Sequence, residues 1–472
     1  MALDALVREV EGSLKAGKVF SDEVTRTAYS YDATPGYRGL PDFVVFASSP
    51  EEVSEVLRIA SLHGIPVIPR GAGTSLCAGA VPVSGGISLV LSKMNRIIKV
   101  DPDNCTAVVE PGVVTADLHA AVEAQRLFYP PDPGSMKVCT LGGNVAANAG
   151  GLRGVKYGVT RDYLLGLEAV LASGTRFRVG GETIKNVTGY DLPRLLAGSE
   201  GTLAVFTEII LKLLPMPESR RSILAPFSRM DDAAHTILSI FSAGVTPAIL
   251  EIMDRVTIRA VEQWKSAGLP LDASAVLLIE VDGPEEAVQE EAQAVLRACS
   301  SNGATGVRTA TTMEEREELW TARRSALSAL ARVKPTTILE DATVPRGRIP
   351  EMFRSVERIA SIYGVQIGTF GHAGDGNFHP TVLTDLRDPE EKKKAEKAIG
   401  EIFRAALRLG GTLTGEHGIG AAKARFLPLE AGPTELRLYR DIKAVFDPKG
   451  ILNPHKAIGD RTGGSSVGSG VR

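Results

Sequence analysis

Hydrophobic positions along the chain change period several times, and each change marks an element. Residues 1–30 set apolar positions at helical spacing among acids, and Phe43–Phe46 follow as a short apolar strand. Ser49-Pro50-Glu51-Glu52 has the form of a helix start, with an N-cap hydroxyl, proline at the first helical position and acids in the first turn. Val53, Val56, Leu57 and Ala60 then recur on one face, and Gly64 ends the helix. A strand at 66–69 runs into Arg70-Gly71-Ala72-Gly73-Thr74-Ser75. Strands at 87–91, 97–100 and 107–110 succeed one another before a helix begins at Thr115. Further strands at 167–172, 176–179 and 204–213 close at Pro215-Met216-Pro217, a predicted domain boundary. Residues 222–226, 233–242, 275–281 and 285–300 then read strand, helix, strand, helix, the order of a ferredoxin-like sheet with helices on one face. Helices at 313–333 and 349–363, a hairpin at 366–382 and a helix at 388–409 complete that unit.

The pattern predicts an α+β fold, not a regular βαβ series. Its expected domains are 1–217, a cap at 218–410, a segment at 411–457 returning to the first domain, and a Gly/Ser-rich disordered tail at 458–472. At 472 residues the chain exceeds one ordinary core. Net charge is -3, which gives no electrostatic case for nucleic acid. The 4 cysteines form no CxxC pair and read as reduced thiols of a cytoplasmic protein, reaching a membrane only through a partner. No apolar run approaches transmembrane length, and the N-terminus is not a signal peptide.

Two glycine-flanked segments hold candidate chemistry. In Gly371-His372-Ala373-Gly374-Asp375-Gly376-Asn377-Phe378-His379, Asp375-Gly376 predicts a two-residue turn. That turn pairs Gly374 with Asn377 and sets His372 directly opposite His379, about 5 Å apart at Cβ. Two imidazoles so placed suit one divalent metal, and Glu416 of Gly415-Glu416-His417-Gly418 could complete a three-ligand site. His417, on the other face of an extended backbone, suits a base better than a fourth ligand.

Glycines cluster in the first half at 71–79, 142–158 and 198–201, where backbone must come close to something or adopt φ > 0. Gly71–Ser75 lacks the helix and acid of a Rossmann loop and reads instead as a nest of backbone N–H groups for an anion. Residues 140–151 carry so little side-chain volume that they suit close approach to a large flat ligand. Pro131-Asp132-Pro133-Gly134-Ser135 turns the chain beneath it.

These segments, with Gly189-Tyr190-Asp191-Leu192, Gly198–Leu203 and Ile451-Leu452-Asn453-Pro454, resemble the FAD-linked oxidase family over about residues 40–457. The first half resembles a PCMH/vanillyl-alcohol-oxidase-type FAD domain of two α/β subdomains. The whole is similar to glycolate oxidase GlcD subunits and D-lactate (D-2-hydroxyacid) dehydrogenases. The resemblance implies non-covalent FAD lined by Arg70, Gly71, Ala72, Gly73, Thr74, Ser75, Gly79, Pro131, Asp132, Ser135, Gly142, Gly143, Asn148, Gly151, Glu200, Thr202 and Asn453. It implies His372, His379 and Glu416 as ligands of a divalent metal (Zn, Fe or Mn), His417 as catalytic base, and Arg323 of Trp320-Thr321-Ala322-Arg323 as carboxylate clamp. Two positions depart from the family pattern: His455 in Asn453-Pro454-His455-Lys456, and Leu339-Glu340 where some members place a substrate-binding lysine before Asp341. The implied reaction oxidises a 2-hydroxy acid, with glycolate, D-lactate and D-2-hydroxyglutarate all open. Electrons would pass to an iron–sulfur subunit, an electron-transfer flavoprotein, a cytochrome or a quinone; a homodimer is open. Rival readings are a metallohydrolase and a non-catalytic FAD-binding subunit of an oxidase complex.

Overall fold

A computed structural model describes residues 3–14, 18–310 and 312–458. Of the expected tail, residues 459–472 lie outside the described residues.

Three main sheets organise the chain. Phe43–Phe46, Ile87–Val90 and Val67–Arg70 pair in parallel, and Val19–Phe20 adds antiparallel at the edge. The helix Pro50–His63 packs against this sheet. Ser49 accepts the Glu52 N–H at its start, and Gly64 closes it at φ +68°, a conformation that disfavours a Cβ. Val53, Val56, Leu57, Ile59 and Ala60 share a core with Ile451 and Leu452 from near the chain's other end. Leu452 bridges Val67, and the Asn453 N–H donates to the Val67 carbonyl at 2.9 Å.

The second sheet is antiparallel, in the order Ile97–Asp101, Thr106–Val109, Val205–Lys212, Leu164–Val170, Arg176–Gly180. Thr115–Glu123 and Leu141–Ala147 bury Leu118, Val122, Leu141 and Val145 in its core. The glycine-rich segment is therefore partly helical.

The third sheet is antiparallel throughout. Its order is Arg308–Thr309, Ser219–Phe227, Ala275–Gly283, Ile249–Asp254, Gln366–His372, Asn377–Thr384, Thr336–Leu339, with Ala342–Thr343 beside Asn377–Thr384. Helices lie on both faces, not on one. Met230–Ser242, Glu285–Ser301, Ile349–Tyr363 and Pro389–Arg408 bury apolar residues in one core, and Arg255–Lys265, Met313–Arg324 and Ala326–Leu330 in the other. Ile249–Asp254 and Arg255–Lys265 escaped the periodicity because acids interrupt the strand and polar residues dominate the helix. The helix expected at 313–333 breaks at Ser325, whose hydroxyl donates to the Thr321 carbonyl at 2.7 Å.

The hairpin register also differs from expectation. His372 pairs with Asn377 and His379 with Phe370, so four residues, 373–376, make the turn. Gly376 alone of the expected Asp-Gly pair has positive φ, +79°. Gly374 is instead pinned to the strand Ile249–Asp254 by its N–H to the Leu250 carbonyl, 3.0 Å. The two histidines become diagonal neighbours on one face. Among the described residues no helix is long and apolar enough to cross a membrane.

Candidate active site

A cavity of about 510 Å³ runs between the first two sheets and the third. Its volume lies within the usual range for small-molecule sites. One end is walled by backbone and small side chains: Arg70, Gly71, Ala72, Gly73, Thr74, Ser75 and Gly79 from the first loop, Ser135, and Gly142 and Gly143 from the helix Leu141–Ala147. A Cβ added at Gly134 would meet nothing within 4 Å, and one at Gly143 only Thr140 Oγ1 at 3.4 Å. At these two positions the wall faces open space, whereas at Gly142 a Cβ would meet Pro111 Cβ at 2.6 Å, so close backbone packing shapes the rest of the cradle. Glu200 also lines the cavity, but its carboxylate is engaged, accepting the N–H groups of Ile419 (2.8 Å) and Gly420 (2.7 Å).

Six residues expected to line a cofactor lie behind this wall and hold it in place. Asp132 accepts the Arg153 N–H, and the Pro131 carbonyl pairs with His119 Nε2 at 3.0 Å. Asn148 caps a helix at φ +51° and accepts the Arg161 N–H. Gly151 sits where a Cβ would meet the Asp132 backbone at 2.6 Å. Thr202 donates to the Ser199 carbonyl, and Asn453 donates to the carbonyls of Gly79 and Glu200. Each backbone conformation or hydrogen bond here stabilises the cradle's shape without touching its void.

At the other end, ionisable side chains converge. Glu416 Oε1 is 3.2 Å from both His372 Nε2 and His379 Nε2, and 3.9 Å from His417 Nε2. The His372 and His379 rings meet edge to face at 5.1 Å; those of His379 and His417 stack at 5.0 Å and 8°. Glu416 and His417 line the same cavity rather than opposite faces, because their backbone is not extended. It wraps Asp341, whose Oδ2 accepts the N–H groups of Gly415, Glu416 and His417 at 2.8, 2.9 and 3.0 Å. Arg323 reaches this end from the helix Met313–Arg324. A capping box of Thr312 and Glu315 starts that helix, and Trp320 anchors it, fully buried with its indole N–H on Glu280 and Ser222. Arg324 lines the cavity too but is tied to Glu317 at 3.2 Å. The guanidinium of Arg323 lies over the Phe370 ring at 4.7 Å.

Two family models match the chain: "FAD binding domain" over residues 41–180 and "FAD linked oxidases, C-terminal domain" over 216–457. The glycolate oxidase subunit GlcD of Bacillus subtilis (strain 168) is 51% identical over 431 residues, covering 91% of this chain and 92% of that protein. The chain belongs to the FAD-linked oxidase family. A D-lactate dehydrogenase of Archaeoglobus fulgidus is 40% identical over 443 residues, covering 91% of this chain and 95% of its own. Among solved structures, p-cresol methylhydroxylase with substrate bound superposes with a TM-score of 0.80 over 97% of each chain at 19% identity, a likeness of fold.

For a member of this family the cofactor is FAD, and the open, backbone-walled cradle fits it. What sequence reasoning missed is Glu251, at the centre of Ile249–Asp254 and fully buried. Its Oε1 lies 2.6 Å from His372 Nδ1, and its Oε2 takes Arg323 Nε at 2.6 Å and Nη2 at 2.5 Å. Burial alone would depress His372, but the carboxylates of Glu251 and Glu416 overcome it and raise the imidazole well above its ordinary value. Glu416 is the converse: burial would raise it, and His372 with His379 holds it well below the usual carboxylate range. The signal for Glu251 is an acid flanked by Leu250 and Ile252 within a mostly apolar strand, since a buried charge needs partners.

Proposed function

We propose that this chain is an FAD-dependent dehydrogenase or oxidase of a small 2-hydroxy acid, D-lactate or glycolate, yielding the 2-oxo acid. The observation that carries the reading is that a base, a guanidinium and a His/His/Glu donor set line one end of the flavin cavity. The names of relatives, glycolate oxidase subunit and D-lactate dehydrogenase, support it.

Arg323 binds the substrate carboxylate. Glu251 and Phe370 fix the guanidinium, leaving its Nη1 side for the ligand. His417 takes the hydroxyl proton at Nε2; burial, the largest influence, pulls this imidazole down to about 4, so it is neutral at physiological pH. When bound in the cradle, FAD would supply the two-electron acceptor for the carbon whose hydroxyl proton His417 takes and whose carboxylate Arg323 holds. A divalent ion (Zn, Fe or Mn) held by His372, His379 and Glu416, whose ligand atoms lie within 4.8 Å of one another, would polarise the hydroxyl oxygen. The donor chemistry fits once an ion displaces the Nε2 proton of His372: Glu251 then keeps the Nδ1–H, and the Nε2 lone pair is left for the ion. FAD is held non-covalently in this reading, because the first glycine loop, residues 70–79, carries no histidine for attachment.

Electrons leave to a partner protein or a quinone, as the word "subunit" in relatives' names suggests. The chain works in the cytoplasm and meets a membrane through that partner. A metallohydrolase leaves the cradle without a role, and a non-catalytic subunit leaves the charged end without one. The test is anaerobic mixing of the yellow protein with D- and L-2-hydroxy acids, with and without chelator. D-lactate or glycolate should bleach the 450 nm band, more slowly after chelation. A flavin that no 2-hydroxy acid reduces overturns the reading.

A further inference from the structure

A 2-hydroxy acid carries four substituents on C2. In the proposed reaction Arg323 holds the carboxylate, His417 faces the hydroxyl and the hydrogen is lost, which leaves one substituent to be seated. The cavity surface left for it is apolar. Phe370 bridges the clamp and the histidines, lying under the Arg323 guanidinium at 4.7 Å and 5.5 Å from the His379 ring. Strand register places Leu339 on the same face: Phe370 pairs with His379, and Leu339 pairs with Thr381, two residues along the same strand. Leu327 stands one turn beyond Arg323. Its helix Ala326–Leu330 can sit close to the sheet because of Gly368, where a Cβ would meet Leu330 Cδ2 at 2.7 Å. Leu152 reaches in from the cofactor half. All four apolar side chains line the cavity, and the three leucines pack around the core that contains Phe370.

No lysine among the described residues lines this cavity, and its three arginines are committed. Arg70 belongs to the cradle and donates to the Tyr31 carbonyl at 2.8 Å. Arg323 is the clamp. Arg324 is paired with Glu317 where both side chains are about half exposed, 43% and 54%. A second substrate carboxylate would therefore lose its water against leucines with no buried cation to meet it. We propose that Leu152, Leu327, Leu339 and Phe370 select 2-hydroxy monocarboxylates with an aliphatic C2 substituent, D-lactate and longer chains ahead of glycolate, and reject 2-hydroxy dicarboxylates. This selectivity rests on Arg323 and His417 acting as assigned. It gives a role to the departure at Leu339-Glu340: Leu339 faces the cavity, whereas Glu340 lies outside its lining, 3.8 Å from the buried Lys423 Nζ.

D-2-hydroxyvalerate and D-2-hydroxyglutarate have equal carbon chains, so the pair isolates the distal carboxylate. The second-order rate constant for anaerobic flavin reduction of the holoenzyme should be about 100-fold higher for the first. It should also rise about fourfold per carbon from glycolate through D-lactate to D-2-hydroxybutyrate. In Leu327→Ala the preference for D-2-hydroxybutyrate over glycolate should shrink about tenfold. In Leu339→Lys the ratio of D-2-hydroxyglutarate to D-2-hydroxyvalerate should rise about tenfold or more. Dissociation constants of 2-oxovalerate and 2-oxoglutarate, read from the shift of the oxidised flavin band, give the ranking without turnover; 2-oxoglutarate should bind about tenfold more weakly. D-2-hydroxyglutarate as effective as D-2-hydroxyvalerate in wild type would place the distal carboxylate on Arg324 and overturn the proposal. So would glycolate outrunning D-lactate, or rates that fall in both variants with every preference unchanged. If no 2-hydroxy acid reduces wild-type flavin, the reaction assignment fails, and the 2-oxo acid ranking decides the pocket by itself.

Discussion

At one end of the cavity Gly142, Gly143, Ala146, Ala147, Ala149 and Gly150 offer little side-chain volume; at the other, Arg323, His372, His379 and Glu416 line it with Glu251 and Asp341 behind them, ionisable groups buried against one another. The cradle is shaped by missing atoms and by hydrogen bonds behind its wall. The charged end is shaped by partners, each costly to leave unpaired in a low-dielectric interior. The first should fail when atoms are added and the second when a partner is removed.

The largest effect is expected at the base. His417→Gln should slow flavin reduction about 10²–10⁴-fold while the protein stays yellow; stopped-flow absorbance at 450 nm checks both. Next, Gly142→Val adds volume where even a Cβ would meet Pro111 Cβ at 2.6 Å and its carbonyl oxygen at 2.9 Å. Flavin per protein should drop at least tenfold, read from the absorbance ratio of the purified protein. Glu251→Gln removes the anion shared by Arg323 and His372, and should raise KM for the hydroxy acid about tenfold and lower stability by about 3 kcal/mol in urea titration. An unchanged KM would show that Glu251 does not set the clamp. Gly150→Ala joins the two ends: its Cβ would meet Glu416 Oε2 at 2.5 Å. Chelator competition should show metal affinity about tenfold weaker with flavin retained.

The smallest effect is on acid stability. Burial, with Arg153 nearby, lowers His119 to about 4, below its ordinary value of 6.5. The folded state therefore binds this proton less readily than the unfolded chain. The stability from neutral His119 is complete above about pH 6.5 and is lost as pH falls toward 4. Because His119 supports Pro131 behind the cradle, flavin release should begin in that window, and His119→Gln should flatten the thermal-denaturation profile across it.

The two ends were unequally legible in the sequence. Contiguous glycines announce the cradle, since a run of small residues is a local pattern, although six of the residues assigned to its wall stand behind it. The histidine spacing pointed to a shared face, yet by a two-residue turn that does not form. The pull of Gly374 onto the strand Ile249–Asp254 shifted the register, and a long-range contact of that kind leaves no local trace. Glu251 was missed for a related reason. Its partners His372 and Arg323 are 121 and 72 positions away, and the acid itself interrupts the apolar pattern by which strands are recognised. Asp341 stood beside a noted departure from the family pattern, but its role depends on a loop that begins at residue 414.

The short stretch from Gly150 to Tyr157 belongs to the cofactor half by sequence but fits the surface of the cap. Gly150 makes room for Glu416, Val155 fills the space before Gly374, and Lys156 and Tyr157 grip Asp282 at 2.7 and 2.8 Å. Anyone recombining relatives, with the flavin half of one and the cap of another, would cut through this seam if the border were drawn at Pro215–Pro217. Residues 150–157 should travel with the cap, and lineages that exchanged caps without them would be expected to carry compensating changes at Gly374, Asp282 or Glu416.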